Sequence, residues 1–168
     1  TPNSSEKTIR HLTLLAENLA GYQNLLKLVT DAYLNGFYRK PCIDYRTLRE
    51  YQEGLIVLSG CLNGDLPQAL LRGDTAEAER LVRWHLDVFS RDRYYLELQH
   101  HPTIREQAII NKGLQQLARR HGVGLVATGD AHYVRPEDAE AQDVLLCVQT
   151  GTHVTDKNRL SMLGADFS

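Results

Sequence analysis

The chain has 168 residues, 42% hydrophobic and 24% charged, which fits one globular domain of ordinary size with a buried core and excludes a disordered chain. Its 19 basic and 21 acidic residues leave a formal charge of −2, so no basic footprint for nucleic acid is present. Three widely spaced cysteines, Cys42, Cys61 and Cys147, argue against a disulfide framework and for a reducing, intracellular setting, and no apolar run approaches the ~18 residues of a membrane helix.

Residues 1–10 read as a polar loop. There is no signal peptide, and Thr1 stands where an initiator methionine would, so the sequence is expected to begin inside a longer protein. HLTLLA (11–16) is short and apolar enough for a buried strand. Asn18 can cap the helix that follows, in which Tyr22, Leu25, Leu26, Val29 and Tyr33 form one apolar stripe, and Gly36 is a fitting stop. RKPCIDY (39–45) is a loop before one short helix over 46–52. LIVLS (55–59), ending in Gly60, reads as a strand buried on both faces.

Asp65-Leu66-Pro67 opens a short helix. Asp74 and Glu77 make a capping-box-like start for the next, which carries Ala78, Leu81, Val82, His85, Val88 and Phe89. YYLEL (94–98) is a strand. Pro102 starts a helix bearing Ile109, Ile110, Leu114 and Leu117. Arg119, Arg120 and His121 suit its negative end, and Gly122 closes it. LVAT (125–128) is the last strand, Pro136 opens a helix to about Val148, and the tail from Thr150 lacks periodicity. Strands alternating with helices predict a largely parallel α/β sheet with right-handed crossovers. An open sheet and an incomplete barrel are both compatible with four strands.

In parallel α/β folds, functional groups collect beyond the carboxyl ends of strands. Strand 55–59 leads into Gly60-Cys61, strand 94–98 into Gln99-His100-His101, and strand 125–128 into Gly129-Asp130-Ala131-His132. In an extended segment Asp130 and His132 would point the same way and offer an oxygen beside a nitrogen, a divalent-metal pair, with Gly129 giving the tight turn before it. Each group also has a structural reading. Cys61 alone is a small buried hydrophobe, His100 and His101 are caps for the helix after Pro102, and His11 is a core or edge histidine. His85, His121, His153, Cys42 and Cys147 read as structural or surface residues.

Several blocks in order carry a resemblance: HLTLLAEN, GYQNLLKLV, AYLNGFYRKPCID, EGLIVLSGCLNGDLP, YYLELQHH, LVATGDAHYV and EDAEAQDVLLCVQTG. Together they resemble the PHP (polymerase and histidinol phosphatase) domain of bacterial DNA polymerase III alpha subunits, from His11 to about Arg159. The resemblance implies a distorted (β/α)7 barrel, of which residues 11–149 would be a part without its amino-terminal strands and 150–168 a linker toward a polymerase region. It implies metal ligands at His11, Cys61, Asp130 and His132, with His100 and His101 as candidates to orient them. Zinc or manganese would occupy the site, and magnesium would serve the parent polymerase.

The family's opening His-x-His strand would lie upstream of Thr1. A frequent LQDHG reads LQHHP here and TND reads TGD, so His100 and Gly129 alter the surroundings of the mapped ligands. In active members the site hydrolyses phosphoesters, including 3′-to-5′ removal of nucleotides; in degenerate members it supports structure or the docking of a proofreading subunit. The partners implied are DNA and dNTPs through the parent polymerase, a proofreading exonuclease and a sliding clamp, in the bacterial cytoplasm and away from the membrane. A stand-alone PHP phosphatase acting on small phosphate esters is the third reading.

Overall fold

The computed structural model describes residues 9–168, so most of the expected polar loop at 1–10 lies outside the described residues. β1 (Thr13–Ala16) is followed by α1 (Leu19–Leu34), α2 (Tyr45–Glu50), β2 (Leu55–Leu58), α3 (Asp65–Leu71), α4 (Thr75–Phe89), β3 (Tyr94–Gln99), α5 (Arg105–His121), β4 (Gly124–Thr128) and α6 (Ala139–Thr150). The four strands form one sheet in the order β1-β2-β3-β4. β2, β3 and β4 run parallel, and β1 runs antiparallel to β2, pairing Thr13 with Leu58. The fold is thus mixed α/β with a mostly parallel sheet. The departure at β1 places His11, two residues before the strand, beside the exit of β2, where it bridges Gly64. No helix among the described residues is long and apolar enough to cross a membrane.

Local chemistry accounts for most boundaries. The side chains of Asn18, Asp44 and Asp74 accept from the backbone N–H of Gly21, Thr47 and Glu77, three residues on, and satisfy donors that α1, α2 and α4 leave free. Gly122 ends α5 in the left-handed conformation. Pro102 does not open α5; a turn intervenes, and the helix begins at Arg105. Pro136 opens a single 3₁₀ turn that leads into α6.

The core lies between the sheet and helices α3, α4 and α5. Leu55, Val57, Tyr94 and Leu96 meet Leu66, Ala69, Leu81, Val82, Phe89, Ile110 and Leu114, all fully buried or nearly so. His85, inside α4, is buried there with its ring stacked on Tyr94 at 4.7 Å between centroids. Its Nδ1 bonds the Leu81 carbonyl at 2.8 Å.

Of the stripe expected to bury α1, only Leu25 packs against the core; the other four residues face outward. Tyr22, Leu26, Val29 and Tyr33 are each at least half exposed, whereas Gly21, Asn24, Leu28 and Ala32 are buried. The cause is a close backbone approach. A Cβ on Gly21 would overlap the carbonyl oxygen of Gly54, and the Asn24 amide donates to the Glu53 carbonyl at 3.0 Å. Only the small-residue face of α1 can sit against that turn.

Residues 151–168 contain no helix or strand, yet they fold back on the domain. Both terminal guanidinium nitrogens of Arg159 donate to the buried Asp143 carboxylate at 2.7 Å, and Ser161 adds a third bond at 2.7 Å. The backbone N–H of His132 donates to the Phe167 carbonyl at 2.7 Å, and the Phe167 N–H donates to the Tyr133 hydroxyl at 3.0 Å.

Two outcomes follow from this packing. Leu28→Ala is expected to lower the stability of this chain by about 2–5 kcal/mol in chemical denaturation, and Leu26→Ala by no more than ~0.5 kcal/mol. The Arg159 and Ser161 bonds hold the Asp143 carboxyl below the usual carboxylate range. Their contribution is therefore complete above the ordinary aspartate pKa and lost as the pH falls through the depressed one. Asp143→Asn should release the tail at neutral pH, read as faster tryptic cleavage at Lys157 and Arg159.

Candidate metal centre

The carboxyl ends of β2, β3 and β4 and the segment just before β1 open onto one cavity of about 430 Å³, whose lining includes His11, Cys61, Glu97, Gln99 and Asp130. His11 Nδ1 and Cys61 Sγ lie 3.4 Å apart although 50 residues separate them. A tetrahedral zinc ion held at its usual bond lengths to nitrogen and sulfur spaces such atoms by roughly 3.6 Å. The pair therefore fits one edge of a coordination tetrahedron. Gly60 makes this approach possible. Its φ is +82°, and a Cβ there would stand 2.7 Å from the His11 carbonyl oxygen.

Asp130 reaches the same cavity from the exit of β4. Its φ of +52° is left-handed, a conformation aspartate tolerates better than most residues. This corrects the expected extended Asp-x-His geometry. The turn falls on Asp130 rather than Gly129, and the two side chains do not project in parallel. His132 instead folds back, its Nδ1 donating to the Asp130 carbonyl at 2.6 Å. That bond leaves Nε2 as the nitrogen with a lone pair, while the ring packs edge-on against Phe167 at 5.4 Å. His132 is exposed and lies outside the cavity lining.

His101 is 4% exposed, and neither ring nitrogen has a hydrogen-bond partner among the described residues. Its Nε2 stands 3.8 Å from the Asp130 carboxylate, too far for a hydrogen bond, and its ring lies 4.5 Å from that of Phe167. A buried histidine with both nitrogens unpaired is uncommon and marks a polar site. His100 is exposed.

Electrostatics at the cavity run toward bound cations. Burial pushes the Cys61 thiol up, opposed by the Asn63 backbone, and the carboxylates of Asp130 and Glu97 push it further. Burial also raises the Asp130 carboxyl; the rings of His132, His101 and His11 draw it down, and Glu97 adds to the rise. A cation would relieve both. Among the described residues, however, no three His, Cys, Asp or Glu side chains stand close enough to hold one ion. The residues fit part of a metal site: one nitrogen–sulfur pair, a nearby carboxylate and a buried, unpaired imidazole.

Glu97 escaped the sequence reading. It is 5% exposed at the middle of β3 and accepts from Thr128 Oγ1 at 2.5 Å, Gln99 Nε2 at 3.2 Å and the Gly60 N–H at 3.2 Å. The available signal was its position, a charge between two leucines in a strand otherwise buried.

The PHP domain family model matches residues 3–101, more than half of the chain. The chain belongs to the PHP domain family. Its similar proteins include DNA polymerase III subunit alpha of Thermus aquaticus, 48% identical over 149 residues, which is 89% of this chain and 12% of that protein. The same-named protein of Borreliella burgdorferi is 46% identical over 157 residues, 94% of this chain and 14% of that protein. That of Deinococcus radiodurans is 42% identical over 162 residues, 96% of this chain and 12% of that protein. The chain thus spans about an eighth of the length of these relatives. Cys61 and the HLTLL block carrying His11 fall inside the matched PHP region, whereas Asp130 and His132 lie beyond it.

Gly60→Ala is expected to destabilise this PHP chain by about 1–3 kcal/mol and to push Cys61 away from His11. Denaturation midpoints check the first effect, and a structure of the variant checks the second.

Proposed function

We propose that this chain is the metal-binding part of the PHP region of a replicative DNA polymerase III alpha subunit. The parent protein would carry out DNA-directed DNA synthesis in the bacterial cytoplasm, taking DNA and dNTPs with magnesium. The single observation that supports the local reading is the approach of His11 Nδ1 to Cys61 Sγ, 3.4 Å apart at a cavity that Asp130 also lines. The parentage is supported by identities of 42–48% to alpha subunits across most of the chain.

The donor set of imidazole, thiolate and carboxylate suits zinc, with manganese favoured where oxygens dominate. When bound, such ions lower the pKa of coordinated water to about 7 and hold phosphate oxygens, the chemistry of phosphodiester hydrolysis. The chain's own part is to present the donors. His11 and Cys61 form a preset pair. The bond from His132 Nδ1 to the Asp130 carbonyl fixes a tautomer with Nε2 available, and the buried His101 ring stands 3.8 Å from the Asp130 carboxylate without a hydrogen bond to it. A 3′-to-5′ exonuclease centre would need further ligands and an open coordination position.

The second reading is a non-catalytic PHP scaffold that packs against the polymerase and docks a proofreading exonuclease. It is favoured by the lack, among the described residues, of any three side chains poised on one ion. The intact polypeptide tests both. Zinc or manganese by elemental analysis is expected to fall in His11→Ala, Cys61→Ala and Asp130→Ala, with magnesium-dependent synthesis retained. Unchanged metal in all three variants removes the metal reading. Release of 3′ nucleotides that is lost in the same variants decides for hydrolysis, and its absence from the wild type decides for the scaffold.

A further inference from the structure

Glu97 sits on the opposite side of β3 from the main core, since it alternates with Tyr94, Leu96 and Leu98. Its carboxylate reaches two strand exits at once. Oε2 accepts from the Gly60 N–H at 3.2 Å, one residue before Cys61, and Thr13 Oγ1 on β1 approaches the same oxygen at 3.5 Å. Oε1 accepts from the Thr128 hydroxyl at 2.5 Å, two residues before Asp130, and from Gln99 Nε2 at 3.2 Å. The Glu97 backbone N–H donates to Ser59 Oγ at 2.9 Å, closing a second link to the end of β2. The segments bearing Cys61 and Asp130, separated along the chain, are therefore referenced to a single buried group. His11 joins them through its bridge to Gly64 and its place two residues before Thr13.

We propose that Glu97 is a positioning residue for the metal site: its carboxylate sets the separation of the Cys61 and Asp130 segments without itself being a ligand. The proposal rests on the metal reading above. A buried carboxylate held by this many donors costs several kcal/mol to leave partly unsatisfied, so its neighbours are not free to drift. Groups that orient a metal's ligands change affinity by 10–100-fold when removed.

Glu97→Leu keeps the approximate volume and deletes every acceptor. Glu97→Gln keeps one oxygen for Gly60 and turns an amide toward Thr128, whose hydroxyl can accept instead of donate. Zinc affinity of the intact polypeptide is measured by competition with a chromogenic chelator. The thiolate-to-cobalt absorption band of the Co(II)-loaded protein reports Cys61 directly, with Cys61→Ala identifying its share. Melting of the metal-free protein is followed in parallel. The expected result is a 10–100-fold loss of zinc affinity and a weakened cobalt band in Glu97→Leu, with Glu97→Gln recovering the greater part of both. Wild-type zinc affinity in Glu97→Leu overturns the proposal. So does an equal loss in both variants that merely accompanies a lowered melting temperature. If Glu97→Leu does not fold, Thr128→Val decides: weaker zinc binding at unchanged metal-free melting sustains the proposal, and wild-type binding overturns it. Failure of the wild type to bind zinc or cobalt removes the underlying metal reading instead, an outcome distinct from either.

Discussion

Burying the Glu97 carboxylate obliges the surrounding sheet to supply donors on every side, because an ionised group left unsatisfied in the interior would cost more than the domain's margin of stability allows. Gly60, Gln99 and Thr128 meet that demand from three separate segments. Each donor is near a residue of chemical interest. The same constraint that keeps the middle of the sheet folded thereby fixes where the strand exits end, and with them the neighbourhood of Cys61 and Asp130. Stability and site geometry share one group.

The site itself is assembled from compromises in backbone conformation. Gly60 and Asp130 both take positive φ, and each does so at the point where a strand gives way to the cavity. At Gly60 the left-handed turn lets the chain pass close to the His11 carbonyl, bringing sulfur and nitrogen to 3.4 Å. At Asp130 it breaks the extended geometry that would have set His132 alongside. His132 and His101 then gather around Phe167. The carboxyl-terminal segment thus forms one wall of the region that contains the histidines.

Some of this could be read directly from residue order. The caps at Asn18 and Asp74 lie three residues before the donors they satisfy, a relation internal to each helix. The alternation of strands and helices specified an α/β fold with a largely parallel sheet, and the strand exits pointed to Cys61, His101 and the Asp130/His132 pair; of these, Cys61 and Asp130 line the cavity, and His132 does not. The amphipathic reading of α1 failed because that helix is apolar on two sides. Periodicity alone could not say that Gly21 must pass against Gly54, and that contact turns Leu26 and Tyr33 outward.

What the sequence determined by itself was therefore the local and the periodic: the side-chain-capped helix starts at Asn18 and Asp74, strand identity, fold class, and which side chains are chemically able to bind a metal. Those properties depend on neighbours within a few residues, and one linear pattern contains them. Tertiary structure alone decided that β1 runs antiparallel, that His11 meets Cys61, that Asp130 turns left-handed, and that Glu97 holds the ends of β2 and β4 in common. Each of these is a contact between distant segments. Such contacts are selected by close backbone approach and by the cost of burying unpaired polar groups, neither of which leaves a period in the sequence.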